Sequence, residues 1–220
     1  MKKSYQKELL DADEIPEADL IQNLKELKFI NTFLGGHDVI KKGLKRFGKQ
    51  NHKILEIGSG GGDNLMMLKK RFPDNEYSGL DIKEVCIKYS SSLDSEIFWI
   101  KEDYKKHKPF EPYDLIFNSL FCHHFDEDSL VEMLIWMNKN STKGFFIGDL
   151  HRHWLAYYSI KFLTNLFSKS YLVKNDAPLS VKRGFTRNEW EKLLKKAGIK
   201  NYEITWCWAF RHLIVVKNDA

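Results

Sequence analysis

The stretch Lys53–Asn64, KILEIGSGGGDN, decides the fold. A short apolar run containing the acid Glu56 is followed by Gly58, Gly60, Gly61 and Gly62, and then by a helical pattern. Glycine has no Cβ, so it allows a sharp turn and lets a ligand approach the backbone closely. Ligands of open parallel sheets bind beyond the carboxyl ends of the strands, where the strand order reverses. The stretch therefore predicts a ligand site at the first strand-to-helix crossing.

Strand and helix patterns alternate over about 100 residues after position 51. Strands are predicted at HKILEI, EYSGLDI, EIFWIKED, YDLIFNSL and GFFIGDL, with helices between several of them. This alternation indicates an α/β, doubly wound and mostly parallel sheet. After the helix TRNEWEKLLKKAG, the strands YEITWCWAF and RHLIVVK follow one another directly. That pair completes a seven-stranded sheet and implies one antiparallel strand.

Two helical regions are predicted outside this alternation. Residues 1–50 are interpreted as a helical N-terminal cap, with one helix over 18–33, a stop at Gly35-Gly36 and a second helix in HDVIKKGLKRF. Residues 51–220 form the ligand-binding domain, with a helical insertion at about 151–184 that covers the substrate. Within the insertion, WLAYYSIKFLTNLF is apolar nearly all round, and NDAPLSVKRGF is expected to be a mobile edge of the pocket.

Composition and charge exclude several classes of protein. The N-terminus lacks the apolar core of a signal peptide, and no window reaches the roughly 18 apolar residues of a membrane span. Cys86, Cys122 and Cys207 are odd in number and widely spaced, so we expect reduced thiols in a cytoplasmic protein without a zinc site. The net charge of +5 comes from scattered lysines, which are typical of solvated helix surfaces, so no nucleic-acid partner is expected.

The glycine loop does not fit a phosphate-bearing ligand. The dinucleotide pattern G-x-G-x-x-G, counted from Gly58, places Asp63 where the third glycine should stand, and the P-loop lysine is missing. Glu56 and Asp63 would repel a pyrophosphate but would favour a ligand with positive charge. A sulfonium nucleoside with an amino-acid tail has an ammonium group and no phosphate.

LEIGSGGG resembles motif I of the class I S-adenosylmethionine-dependent methyltransferases, apolar–Asp/Glu–x–Gly–x–Gly–x–Gly. The resemblance covers roughly residues 50–217 and implies a Rossmann-like methyltransferase fold with S-adenosylmethionine as the cofactor. It implies that Asp81 binds the ribose hydroxyls, that Asp103 and Tyr104 in KEDY contact the adenine, and that Asn118 and Ser119 lie under the methionine moiety. The cofactor-binding residues implied by the resemblance are Glu56, Gly58, Ser59, Gly60, Gly62, Asp81, Ile82, Asp103, Tyr104, Asn118 and Ser119.

Several acceptor classes are disfavoured by the segment after the fourth strand. It reads NSLF without the prolines of nucleic-acid amino-methyltransferases, Cys122 follows phenylalanine rather than the proline of cytosine-C5 enzymes, and the glutamate pair of arginine methyltransferases is not found. Histidines follow the fourth and fifth strands, where a group with a pKa near 6.5 could take a proton from the acceptor. The candidate bases are His124, His151 and His153, with His123 interpreted as structural, and the candidate substrate-binding residues are Trp154, Tyr157, Tyr158 and Arg183.

No metal is expected, although a site built from Asp149, His151, His153 and His124 is conceivable. The whole chain is also similar to bacterial small-molecule methyltransferases, among them relatives of quinone-biosynthesis enzymes and proteins encoded beside type III polyketide synthases. INTFLGGH, GDLHRHWLAYY and APLSVKRGFT carry that similarity. It implies methylation, on oxygen rather than carbon, of a small apolar phenolic, quinol or polyketide-like acceptor by a monomer or homodimer. The alternatives are an RNA or protein methyltransferase, a non-catalytic S-adenosylmethionine-binding domain and, least favoured, a nicotinamide-dependent oxidoreductase.

Overall fold

The protein is a seven-stranded mixed sheet with helices on both faces, as seen in a computed structural model that describes residues 1–12, 14–48 and 51–218. The strand order is β3-β2-β1-β4-β5-β7-β6, in which the first five strands run parallel and β7 lies antiparallel to both β5 and β6. The predicted fold, including its one antiparallel strand, is confirmed. The strands are β1 (Lys53–Ile57), β2 (Glu76–Asp81), β3 (Phe98–Lys101), β4 (Tyr113–Ser119), β5 (Ser141–Leu150), β6 (Tyr202–Cys207) and β7 (Arg211–Lys217).

The helices agree closely with the predicted ones, except in the insertion. They are α1 (Glu17–Phe33), α2 (Gly36–Lys45), α3 (Asp63–Arg71), α4 (Glu84–Leu93), α5 (Glu127–Asn140), α6 (Trp154–Phe167), α7 (Tyr171–Arg183) and α8 (Arg187–Lys196), with short 3-10 helices at Leu9–Asp11 and Cys122–His124. None of the helices in the described ranges is long and apolar enough to cross a membrane.

Helix α7 corrects the prediction that NDAPLSVKRGF is a mobile pocket edge. The segment is helical as far as Arg183, and the helix begins at Ser170, whose hydroxyl accepts a hydrogen bond from the N–H of Val173 at 3.4 Å. Leu172, Val173 and Leu179 are buried on one side of it. Burial of this apolar side outweighs the poor helix propensity of the internal Pro178.

Two apolar layers cover the two faces of the sheet. On one face, Met133 and Leu134 of α5 pack with Trp190 and Leu194 of α8. On the other face, α2 and α3 supply Val39, Ile40, Leu44, Leu65 and Leu68, all of them buried. Both layers are continuous with the apolar side chains of the central strands.

The predicted cap over residues 1–50 therefore divides into two parts. Helix α2 packs directly on the sheet, where a Cβ added to Gly43 would lie 2.3 Å from the ring of Phe146. Helix α1 instead lies over α4, where Leu20 and Leu24 pack with Cys86. This places α1 above the carboxyl edge of β1 and β2.

Candidate active site

The glycine loop lies where the strand order reverses, between β1 and its neighbours β2 and β4. Gly58, Gly60 and Gly62 have φ angles of 68, 50 and 70°, in the left-handed region that other L-residues rarely adopt. A Cβ on Gly58 would lie 2.3 Å from the ring of Phe121, and one on Gly62 would lie 2.3 Å from the ring of Trp99. Conformation and space therefore both require glycine at these two positions.

Two buried carboxylates border this loop. Oε1 of Glu56 accepts a hydrogen bond from the amide of Asn64 at 2.8 Å, while Oε2 has no hydrogen-bond partner among the described residues. Burial raises the pKa of Glu56 well above its ordinary value, and the charges of Asp63 and Asp81 act in the same direction. A buried oxygen without a donor, in a carboxylate reluctant to ionise, is suited to a cationic partner.

Asp81 is bound to the backbone of the glycine loop. Its Oδ2 accepts the N–H of Gly60 at 2.8 Å, and its Oδ1 accepts the N–H of Lys83 at 2.9 Å. Burial raises the pKa of Asp81, and these backbone N–H groups oppose the rise. Each oxygen keeps lone-pair capacity for a further donor, so the carboxylate can serve two neighbouring hydroxyl groups.

The N-terminal helices hold the loop from above. His37 Nε2 lies 2.8 Å from Oδ2 of Asp63, and the amide of Asn31 donates to the same oxygen at 3.2 Å. Leu24 of α1 approaches within 3.7 Å of the Cβ position of Gly60. Asp63 thus fixes the start of α3 against the α1–α2 corner, a role that its position in the sequence does not indicate.

A second, apolar cavity of about 440 Å³ opens beside the end of β4. Its volume is in the range of small-molecule sites. Leu120, immediately after β4, lines it in a left-handed conformation with φ of 52°. The other walls are Leu27 and Ile30 of α1, Ile160 and Leu163 of α6, Val173 and Val181 of α7, and Trp208 and Phe210 of the β6–β7 turn.

A polar cluster of Glu8, His123 and His124 interrupts this apolar wall. Nε2 of His123 lies 3.6 Å from Oε1 of Glu8, and Nε2 of His124 lies 3.8 Å from Oε2. The Nδ1 atoms face the other way: that of His123 is 2.8 Å from Asp149, and that of His124 is 2.7 Å from Asp11. Burial raises the pKa of Glu8 to about 7, so this carboxyl group can exchange a proton near neutral pH.

Residues 54–143, which contain the glycine loop, match the family model described as a methyltransferase domain. Residues 54–143 thus form a methyltransferase domain of the class I, S-adenosylmethionine-dependent type. The matched range runs from β1 into β5 and includes Glu56, Asp81 and the histidine pair.

Solved structures share the fold of this methyltransferase domain at low sequence identity. The plantazolicin methyltransferase BpumL, solved with a triazolic desmethylPZN analog and SAH, is 19% identical over 92% of this chain and 91% of its own, with a TM-score of 0.70. A putative O-methyltransferase from Nostoc punctiforme is 15% identical over 99% of this chain and 64% of its own, with a TM-score of 0.70. Human N-acetylserotonin methyltransferase, solved with SAM, is 17% identical over 93% of this chain and 57% of its own, with a TM-score of 0.66.

No curated protein matches the sequence. The solved structures show the fold of the methyltransferase domain. The similarity to quinone-biosynthesis and polyketide-associated enzymes stays a prediction.

Three of the remaining cofactor positions lie at the carboxyl edge of the sheet. Ile82, next to Asp81, is exposed, Asp103 is half-buried and accepts the N–H of Lys105 at 3.0 Å, and Ser119 is half-buried at the end of β4. Ser59, in the loop itself, is buried, and its hydroxyl has no partner among the described residues. These positions remain predictions for cofactor contacts.

Asn118 and Tyr104 require correction, because both side chains face the core. The amide nitrogen of Asn118 lies 3.7 and 3.6 Å from the sulfurs of Met133 and Met137, on the α5 side of the sheet. Successive strand residues face opposite sides, so Asn118 and Ser119 cannot both point into one cleft. Tyr104 is buried among aromatic rings, and Trp136 meets it edge-on at 5.7 Å between centroids.

Arg183, predicted to bind substrate, is instead a structural residue. Its Nε donates to the carbonyl of His123 at 2.8 Å, and a terminal nitrogen donates to the carbonyl of Gln6 at 2.8 Å and to Asp11 at 3.2 Å. The guanidinium is buried, and its Nε and one terminal nitrogen donate within the protein. Arg183 therefore positions the histidine pair and the N-terminal segment.

His151 and His153 lie outside the set of residues that lines the cavity, and their assignment as bases stays a prediction. Nδ1 of His153 accepts the N–H of Leu155 at 3.2 Å and so begins α6, while its ring stacks on Phe210 at 5.0 Å. Nδ1 of His151 accepts the indole N–H of Trp206 at 3.2 Å. Of the three predicted bases, His124 lines the cavity.

The aromatic residues of α6 also point away from the cavity. Trp154 and Tyr158 are exposed, and Tyr157 lies beneath the ammonium of Lys182, 4.5 Å from its ring centroid. The cavity side of α6 is instead its aliphatic side, with Ile160 and Leu163. The three aromatics lie outside the cavity lining, although α6 itself covers the cavity, and their assignment as substrate contacts stays a prediction.

Sequence reasoning missed Glu8 and interpreted His123 as structural; His123 is buried, with its Nδ1 2.8 Å from Asp149, and that interpretation stays a prediction. Glu8 belongs to an N-terminal segment without a motif, and nothing in its neighbourhood in the sequence marks it as part of a site. The carboxylate of Asp176, in α7, accepts the N–H groups of Leu9 and Leu10, both at 2.9 Å, and so places Glu8 at the cavity. The one sequence signal that could have placed His123 in the site is that it stands next to His124.

Proposed function

We propose that this methyltransferase transfers the methyl group of S-adenosylmethionine to a hydroxyl group of a small, largely apolar acceptor held in the cavity. One observation carries the proposal: an apolar cavity contains a cluster of groups that can accept a proton, namely Glu8, His123 and His124. The two histidines follow the end of β4 in the sequence, at the edge of the sheet that also holds the glycine loop. The acceptor would be phenolic, quinol-like or polyketide-like, and the enzyme would act in the cytoplasm as a monomer or homodimer.

The residues of the glycine loop fit the cofactor. Bound S-adenosylmethionine would supply a methyl group activated by its sulfonium charge. Oε2 of Glu56 would accept a hydrogen bond from the ammonium group, and Asp81 would accept bonds from the ribose hydroxyls. Ile82 and Asp103 would border the adenine. The two buried carboxylates would repel a pyrophosphate, which favours this cofactor over a dinucleotide.

The cavity would select the acceptor and align it. Methyl transfer is an in-line displacement, so positioning the acceptor oxygen against the methyl group supplies much of the rate. The apolar walls would hold the body of the acceptor, and its hydroxyl would lie at the cluster of Glu8, His123 and His124. His124, half-buried at the cavity, would take the hydroxyl proton, and Glu8, with its pKa near neutrality, would share it.

A matched pair of substitutions in α6 tests the proposal. Leu163 lines the cavity, whereas Leu166 is exposed on the same helix. Leu163→Trp should fill part of the cavity and abolish methylation of phenols and quinols while SAH affinity is retained, and Leu166→Trp should leave both unchanged. Methyl transfer from labelled S-adenosylmethionine is measured over phenols, quinols, RNA and peptides. Full activity of Leu163→Trp, or RNA as the sole acceptor, would contradict the proposal.

A further inference from the structure

We propose that Glu8, His123 and His124 form a binding site for one divalent transition-metal ion of the first row, open to the cavity. The sequence analysis expected no metal and named a different set, Asp149, His151, His153 and His124, as a conceivable site. The three side chains come from the N-terminal segment and from the 3-10 helix after β4, and their ligand atoms all lie within 4.8 Å of one another.

The distances within the cluster suit ligands of a common ion better than hydrogen bonds. The gaps of 3.6 and 3.8 Å between the Nε2 atoms of the two histidines and the oxygens of Glu8 exceed the hydrogen-bond range. Two ligand atoms about 2.0–2.2 Å from one metal ion are separated by about 3–3.7 Å, depending on the angle. A small contraction of the cluster would therefore complete the coordination.

The outer contacts orient both imidazoles for metal binding. Nδ1 of His123 faces Asp149 at 2.8 Å, and Nδ1 of His124 faces Asp11 at 2.7 Å. A ring whose Nδ1–H donates to a carboxylate presents the lone pair of Nε2, which is the usual arrangement of histidine ligands. Here the Nε2 atoms of both rings face the carboxylate of Glu8, and a cation between the three side chains removes the repulsion among their electron-rich atoms.

The charges around the cluster also call for a dication. The carboxylates are those of Glu8, Asp11, Asp149 and Asp176, and the nearby guanidiniums are those of Arg183 and Arg211, which leaves a net charge of −2 when Glu8 is ionised, as it is on binding a metal, and the imidazoles are neutral. Protonating both imidazoles would also balance the charge. That alternative places two cations in rings with centroids 4.4 Å apart, one of them fully buried, which is costly.

Three protein ligands leave coordination positions that face the cavity. Two imidazoles and one carboxylate suit Zn²⁺, Fe²⁺ or Co²⁺ better than Mg²⁺ or Ca²⁺, which prefer oxygen ligands. The role of the ion, which rests on the proposed function, is to bind the acceptor hydroxyl in an open position and lower its pKa, so that the proton leaves to solvent instead of to His124, whose Nε2 is then bound to the ion. Binding of the ion itself does not depend on that function.

The test is a titration of the full chain, freed of metals with a chelator, with Co²⁺ and separately with Zn²⁺. Calorimetry gives the affinity and stoichiometry, and the visible absorption of Co²⁺ reports its coordination. One ion per chain is expected, with affinity at least about 10-fold weaker in Glu8→Gln and His124→Asn. Asp11→Asn, which keeps all three ligands and changes the group behind His124, should weaken binding by about 10- to 100-fold.

His107→Asn is the matched control, because His107 also has its Nδ1 on a carboxylate, that of Glu102 at 2.7 Å, but lies outside the cluster. Circular dichroism and SAH affinity verify the fold of each variant. Equal Co²⁺ affinity in the wild type, Glu8→Gln and His124→Asn would overturn the metal site. If the wild type binds one Co²⁺ but methylates no hydroxylated acceptor, the proposed function fails and the metal site stands.

Discussion

Replacing Asp81 with alanine tests the cofactor cleft most directly. The Asp81 carboxylate is 9% exposed and accepts two backbone N–H groups, those of Gly60 at 2.8 Å and Lys83 at 2.9 Å. Asp81→Ala removes both bonds and also the acceptor proposed for the ribose hydroxyls. We therefore expect two separable effects, one on stability and one on cofactor affinity.

The magnitudes follow from the hydrogen bonds involved. A hydrogen bond to a charged group contributes about 1.5–3 kcal/mol, and part of the loss at Gly60 and Lys83 is recovered by water that enters the cleft. Asp81→Ala should therefore lower the free energy of unfolding by about 2–4 kcal/mol. Loss of the ribose contacts should cost about 1.5–3 kcal/mol of binding, which raises the Kd for SAH by about 10- to 150-fold.

The assay is calorimetric titration with SAH, combined with urea unfolding of each variant. Asp94→Ala is the matched control, because Asp94 also accepts charged hydrogen bonds, from the ammonium of Lys69 at 2.7 and 2.9 Å, but follows the far end of α4. It should lower stability and leave the Kd unchanged. A folded Asp81→Ala protein with wild-type affinity for SAH would refute the assignment of Asp81 to the ribose.

Three further predictions concern the frame around the two sites. Gly58 and Gly198 both have a φ near 70°, but of the two only Gly58 would place a new Cβ 2.3 Å from a ring, that of Phe121. Gly58→Ala should therefore lower the free energy of unfolding by about 1–3 kcal/mol more than Gly198→Ala does. Equal losses in urea unfolding would contradict the close approach. Burial lowers the pKa of His212 to about 4. Above a pH of about 6.5 the ring is neutral in both the folded and the unfolded state. As the pH falls towards 4, the unfolded state binds a proton that the folded state does not, so the free energy of unfolding should fall by up to about 3 kcal/mol. His212→Leu should flatten the unfolding free energy over that range, and an unchanged pH profile would count against the assignment. Asp176→Ala should release the N-terminal 3-10 helix and speed hydrogen exchange of the Leu9 and Leu10 amides. Unchanged exchange rates at these amides would contradict this prediction.

The sheet could be predicted because its signals are local. Alternating apolar runs and a glycine loop are properties of neighbouring residues, and the alternation of strands and helices then implies a mostly parallel sheet. The errors fall where tertiary packing decides. NDAPLSVKRGF contains Asn175, Asp176 and Pro178 and reads as a loop, yet burial of its apolar positions makes it helical.

The same distinction separates the two halves of the candidate site. Glu56, Gly58 and Asp81 lie at strand ends, where the sequence pattern alone places them in the cleft. The cavity is instead assembled from α1, α6, α7, the β6–β7 turn and the N-terminal segment, which no local pattern brings together. Residue type was therefore a poor guide there. The aromatic residues of α6 were predicted to bind substrate, but the residues of α6 that line the cavity include the aliphatic Ile160 and Leu163.

Completion of the cavity proposed for the acceptor depends on docking of the N-terminal segment, which supplies Glu8 and Leu10 to its lining. Its backbone is held on α7 by Asp176 and Arg183, and by the N–H of Ser4, which donates to the carbonyl of Lys182 at 3.0 Å. These bonds oppose the free-energy cost of burying the Glu8 carboxylate. That cost is reflected in the pKa of Glu8, which burial raises to about 7. A change in α7 that weakens docking should impair the acceptor cavity and the Glu8 cluster together, while the cofactor cleft, which is built on β1 and β2, keeps its affinity.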